Sequence, residues 1–152
     1  MIRQASSRHC FVCGRENPFG LHMVFTMDRP GHVFSDFSVD KQFQGYPGIV
    51  HGGILASLLD EAMGRATLET AVPTRYLVTG SLSVRYRRPV PVETPLHLEA
   101  EVLQDLHKIV KSHSAIYLKD GTLLVEGDAL LCKPGEALYD QIKLNDDEWQ
   151  VV

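Results

Sequence analysis

The chain is predicted to adopt an α+β fold, an antiparallel sheet of five to six strands wrapped around one long central helix. Three observations predict it. Ile54, Leu55, Leu58, Leu59, Ala62, Met63 and Ala66 recur at i, i+1, i+4, i+5 spacing, which lines one side of a helix with apolar groups. Beyond Pro73 the apolar period drops to two: Leu82, Val84 and Tyr86 alternate with Ser83, Arg85 and Arg87, and Leu96, Leu98, Ala100 and Val102 alternate with His97, Glu99 and Glu101. Asp120-Gly121 then separates two further apolar runs, a strong short-hairpin signal. A lone helix with one apolar stripe has no second helix to pack on, so it must lie on the concave face of the sheet.

Taken in order, residues 10–20 are crowded with Gly, Asn and Pro, and the first 20 residues read as an ordered loop. Residues 21–39 hold two runs rich in Val, Phe and Thr on either side of Asp28-Arg29-Pro30-Gly31, which predicts a hairpin. Two glycines and a proline in residues 44–51 demand a tight approach of backbone just before the helix, which should run from Gly52 to Thr70. Four strands follow, the last two over 109–118 and 122–132. The acidic, irregular stretch 134–152 should form a short helix or a docked tail. No internal period repeats, and 152 residues at 44% hydrophobic content suit one ordinary core, so a single domain over 1–152 is expected.

The formal charge of −4 argues against a general affinity for nucleic acid. No stretch has the ~20 uninterrupted apolar residues of a membrane span, and the first residues lack the apolar core of a signal peptide. A cytoplasmic protein is expected. Its three cysteines are then reduced thiols, since an odd number without an export signal argues against a disulfide framework. Cys10 and Cys13 have a CxxC spacing, but no second pair or tight His pair completes a ligand set, so no metal is assigned.

The run Gly45-Tyr46-Pro47-Gly48-Ile49-Val50-His51-Gly52-Gly53, with Asp60 following on the helix, resembles the central motif of hotdog-fold acyl-CoA thioesterases, the branch that includes the phenylacetyl-CoA type. Arg85-Tyr86-Arg87-Arg88-Pro89 is similar to the family's strand segment near the coenzyme A site. Cys10-Phe11-Val12-Cys13-Gly14, with Asn17-Pro18 and Gly20-Leu21, resembles an N-terminal signature of one subset. The order of elements over 20–132 resembles the same fold. The resemblance implies an acyl-CoA substrate, with no cofactor beyond the coenzyme A that it carries, and sites shared between subunits. The edge strand that a wrapped sheet leaves unpaired points to a homodimer, with a tetramer left open.

Physical chemistry gives each matched residue a task. A helix N-terminus presents unpaired N–H groups and partial positive charge, so the Gly52 amide can polarise a thioester carbonyl and stabilise its oxyanion. A side chain on Gly52 or Gly53 would obstruct the substrate. His51, at or just before the helix start, is expected to orient this turn. Asp60, a carboxylate amid apolar helix positions, is the general base or nucleophile that the resemblance selects. It lies ~13 Å along the helix from His51, so one helix cannot bring both to one carbonyl, whereas two antiparallel helices across a dimer axis can. Glu61 points about 100° away and is expected to face solvent, pairing with Arg65 at i+4. Thr79 stands where the resemblance puts a hydroxyl that steadies the carboxylate or the water. Arg85, Arg87 and Arg88 form the densest basic cluster, suited to the phosphates of coenzyme A or simply to a solvated face. Where the resemblance puts an Asn, the chain has Gly45, which removes one substrate-orienting side chain. The same fold also serves as a non-catalytic acyl-CoA-binding module, and the residues leave that alternative open.

Overall fold

The computed structural model describes residues 1–150. The last two residues of the expected tail, 151–152, lie outside that range. The elements are β1 (Ile2–Arg3), β2 (Ser6–Ser7), β3 (Thr26–Arg29), β4 (His32–Phe37), α1 (Gly52–Ala66), β5 (Val78–Tyr86), β6 (Leu96–Asp105), β7 (Ile109–Leu118), β8 (Leu123–Cys132), α2 (Glu136–Lys143) and β9 (Trp149–Gln150). Seven strands form one antiparallel sheet in the order β1-β3-β4-β6-β7-β8-β5, and β2 pairs with β9 beside it.

The sheet curls around α1 because the two periods read in the sequence meet there. Leu55, Leu58, Leu59, Ala62, Met63 and Ala66 are buried on the helix, and Leu96, Leu98, Val110, Ile116, Val125 and Leu131 are buried on the facing strands. Each fully buried Leu or Ile contributes about 1.5–3 kcal/mol over an exposed one. The crossing is close at Gly127 of β8, where a Cβ would stand 3.3 Å from Leu59 Cδ1 and 3.0 Å from Ser83 O.

Two expectations need correction. The helix spans 15 residues and ends at Ala66, not Thr70, because Thr67 caps it: its hydroxyl donates to Gly64 O at 2.7 Å and its N–H to the same carbonyl at 3.2 Å. The sheet has seven strands rather than five or six because Ile2–Arg3, within the stretch read as loop, pairs with Thr26 and Met27. The tail does dock: after α2, Trp149 pairs with Ser7 and its ring lies 5.1 Å from the Arg65 guanidinium. No helix among the described residues is long and apolar enough to cross a membrane.

Candidate active site

The loop before α1 is built to deliver His51 and Gly52. Gly48 takes φ +81°, a left-handed conformation that glycine adopts without steric cost, and Gly45 approaches so closely that a Cβ would meet His51 Cα at 3.3 Å. Val50 N–H donates to Val90 O at 2.8 Å and His51 N–H to Phe43 O at 3.0 Å, so both sides of the loop are pinned. His51 is the N-cap: its Nδ1 accepts from the Gly53 N–H at 2.9 Å. That bond makes Nδ1 an acceptor and engages the Gly53 amide. The Gly52 N–H, by contrast, has no acceptor among the described residues. It opens into a cleft of about 790 Å³ lined by Tyr46, His51, Leu55, Tyr86, Arg87 and Arg88 among others.

Tyr86, which the sequence marks only as a strand position within the basic segment, closes over this end of the helix. Its hydroxyl donates to Gly52 O at 2.8 Å, and its ring lies 3.4 Å from where a Gly52 Cβ would be. The alternation that puts Tyr86 on the helix side of β5 was legible; its partner was not, because 34 residues separate the two.

The three arginines divide. Arg87 and Arg88 line the cleft, and the Arg88 guanidinium has no partner among the described residues. Arg85 points to the outer face, 3.7 Å from Glu126 and 3.9 Å from Asp128 of β8, and does not line the cleft. Arg87 also contacts Glu126, at 3.1 Å.

Asp60 sits two turns further along α1 and opens into a different hollow, of about 290 Å³, shared with Thr79, Glu61 and Arg75 among others. The Thr79 hydroxyl donates to Asp60 Oδ1 at 2.6 Å. A β-bulge makes this contact possible. Leu82, Val84 and Tyr86 share the helix side of β5, so strict alternation would turn Thr79 away with Ser81 and Ser83. The pairing slips between Thr79 and Ser81, and Thr79 comes to lie opposite the buried Leu131. Gly80 permits the slip: a Cβ there would stand 2.8 Å from Cys132 Sγ.

Glu61 departs from its expected place. It does pair with Arg65, at 2.9 Å, but neither faces open solvent: Arg65 is 3% exposed and the Glu61 side chain 22%. The first 20 residues cover them, with Arg65 donating to the Ala5 carbonyl and to Cys13 Sγ, the latter at 2.7 Å. Cys10 Sγ lies 3.7 Å from Glu61 Oε2. Within the thiol pair a hydrogen bond from Cys13 holds Cys10 down to about 7, while the bond to Cys10 and then burial push Cys13 up.

Within one chain, then, the structure gathers His51, Gly52, Arg87 and Arg88 at one cleft and Asp60 and Thr79 at another. Eight residues of helix separate Gly52 from Asp60, ~12 Å along its axis.

Comparison with known proteins identifies the family. The model of the thioesterase superfamily matches residues 47–125, a span that holds Gly48 to Gly53, Asp60, Thr79 and the arginines. Among solved structures, a thioesterase superfamily protein shares 32% identity, with a TM-score of 0.75 over 83% of this chain and 61% of its own. A hypothetical thioesterase from Streptococcus pneumoniae TIGR4, solved with coenzyme A, shares the fold at a TM-score of 0.65 and 21% identity, over 73% of this chain and 84% of its own. The acyl-coenzyme A thioesterase THEM4 of Bos taurus is 25% identical over 130 residues, 84% of this chain and 52% of its own. This chain spans about half the length of the curated relatives it matches. The fold is the hotdog arrangement, and with the family model covering more than half of its residues, the chain belongs to the thioesterase superfamily.

Proposed function

We propose that the protein hydrolyses acyl-CoA thioesters as a cytoplasmic homodimer, each site combining the Gly52 cleft of one subunit with Asp60 of the other. The observation that carries this reading is the division of the site: a free helix-start N–H in a large, mostly apolar cleft, and a tethered carboxylate ~12 Å away on the same helix, in another hollow. Antiparallel pairing of two such helices brings each N–H to the other's carboxylate. Strand β5 supports the pairing, because it ends the sheet with its outer edge unpaired among the described residues and exposes Val78, Leu82 and Tyr86.

In this reading the thioester carbonyl accepts from the Gly52 N–H, and its acyl chain lies against the apolar walls near Ile49, Leu55 and Val90. Arg88 and Arg87, at the rim, meet the phosphates of coenzyme A. Asp60 either takes a proton from water as the water oxygen attacks the carbonyl carbon or attacks that carbon itself. The carbonyl electrons move onto oxygen, where the amide and the helix dipole stabilise them. Collapse of the oxyanion breaks the carbon–sulfur bond. On the water route the thiolate leaves with the proton that Asp60 took, and the free acid is the other product. On the direct route the thiolate takes its proton from water, and a second water hydrolyses the Asp60–acyl anhydride to the free acid and the carboxylate. Thr79 fixes the carboxylate throughout.

Purified protein assayed against a panel of acyl-CoA esters, with free thiol as readout, tests the proposal. Asp60→Asn, which keeps shape and removes charge, should lower turnover by ~10²-fold or more while substrate binding survives. Binding without hydrolysis in the wild-type protein would instead identify a non-catalytic acyl-CoA module.

A further inference from the structure

Cys10, Cys13 and Glu61 play no part in the proposed reaction, yet the fold brings their donor atoms within 4.8 Å of one another. From these three residues we infer a binding site for a borderline-soft divalent cation of the zinc class, at the seam between the N-terminal loop and α1. The inference rests on this geometry and not on the hydrolase reading.

The separations suit the ion. With zinc–sulfur bonds of ~2.3 Å and zinc–oxygen bonds of ~2.0–2.2 Å, tetrahedral ligands stand ~3.6 Å apart sulfur to oxygen. Cys10 Sγ and Glu61 Oε2 are 3.7 Å apart. The intervening space is spanned by a proton now and would be spanned by a metal after modest closure.

The turn that carries the thiols is shaped around sulfur. Val12 N–H donates to Cys10 Sγ at 3.3 Å, and Arg65 Nη2 donates to Cys13 Sγ at 2.7 Å. Both sulfurs are therefore hydrogen-bond acceptors, the outer-shell arrangement that steadies ligating thiolates. The turn is closed by Gly14 N–H donating to Cys10 O at 2.8 Å, and a Cβ on Gly14 would lie 2.5 Å from Cys10 N and O.

Charge favours a divalent ion. Two thiolates and the Glu61 carboxylate carry three negative charges, and the buried Arg65 returns one positive. The two that remain are matched by M²⁺, so the seam, with Cys13 and Arg65 buried and Cys10 and Glu61 half-buried, ends neutral. Binding releases the two thiol protons to solvent, and water takes the fourth coordination position.

The test uses the full chain, stripped with chelator under reducing conditions and titrated with Co²⁺. One cobalt per chain should bind, with sulfur-to-cobalt charge-transfer absorption in the near ultraviolet, and Zn²⁺ should abolish the band. Cys10→Ser should roughly halve its intensity, because one of two sulfurs is gone. Glu61→Gln should keep the intensity and weaken affinity about tenfold or more. If a cysteine variant does not fold, the Glu61→Gln titration and zinc content measured on the folded wild-type protein still decide the matter. Three thiols that titrate as free beside no bound cobalt, a Cys10–Cys13 disulfide that forms in preference to metal uptake, or a band unchanged in both variants would each overturn the site.

Discussion

Thr79 reaches Asp60 because Gly80 lets strand β5 slip by one residue, so a positioning contact depends on an atom that is absent. A hydrogen bond to a charged acceptor is worth about 1.5–3 kcal/mol, which as transition-state energy is about ten- to a hundredfold in rate. Thr79→Val should therefore lower kcat of acyl-CoA hydrolysis by about that factor with KM nearly unchanged, and Thr79→Ser should restore most of it. A Thr79→Val enzyme with full kcat would show that the hydroxyl is only a strand-end substituent. The residue scale also shows what one-dimensional reading can reach. Gly52, His51 and Asp60 announce themselves through a local motif. The burial of Arg65 and Glu61 does not, because it is imposed by Ala5, Cys10 and Cys13, more than 45 residues away. Tyr86 was readable as an inward strand residue, but its bond to Gly52 depends on where the helix crosses the sheet.

Among the elements, α1 and the strands from β6 to β8 follow from hydrophobic period, since each buries one face against the other; β5 alternates in the same way but leaves Leu82 and Tyr86 exposed and only Val84 half-buried. The N-terminal stretch does not, because two-residue strands such as Ile2–Arg3 are too short to carry a period and exist only through pairing with β3. The helix end differs from the expected Thr70 for a related reason: Thr67 and Thr70 fit the polar and apolar spacing, but the Thr67 hydroxyl donates to Gly64 O and stops the helix. The loop over 10–14 is the element most sensitive to a single methyl group. In Gly14→Ala the new Cβ would meet the backbone of Cys10 at 2.5 Å and Arg8 O at 2.7 Å, neither of which can rotate aside. Such overpacking costs about 1–3 kcal/mol. Chemical denaturation should show that loss, with the N-terminal segment releasing Arg65 first; a variant as stable as the wild type would mean the turn relaxes freely.

At the scale of the whole molecule, helix geometry is tied, in the proposed function, to the number of chains in a site. Gly52 and Asp60 are rigidly ~12 Å apart on α1 and open into separate hollows, so neither cleft of one chain holds both groups. β5 ends the sheet, and in the proposed homodimer its outer edge is where the second copy would pair. The measurement that tests this most directly mixes two inactive chains. One carries Asp60→Asn. The other carries Gly52→Val, whose branched side chain would press on the Tyr86 ring, already 3.4 Å from a bare Cβ, and fill the carbonyl position. If each site joins Gly52 of one subunit to Asp60 of the other, every heterodimer has one site with both lesions and one with neither. Hydrolysis of acyl-CoA should then return on mixing, in proportion to the heterodimer fraction. With both variants folded and subunit exchange demonstrated, a mixture that stays inactive would contradict the shared site.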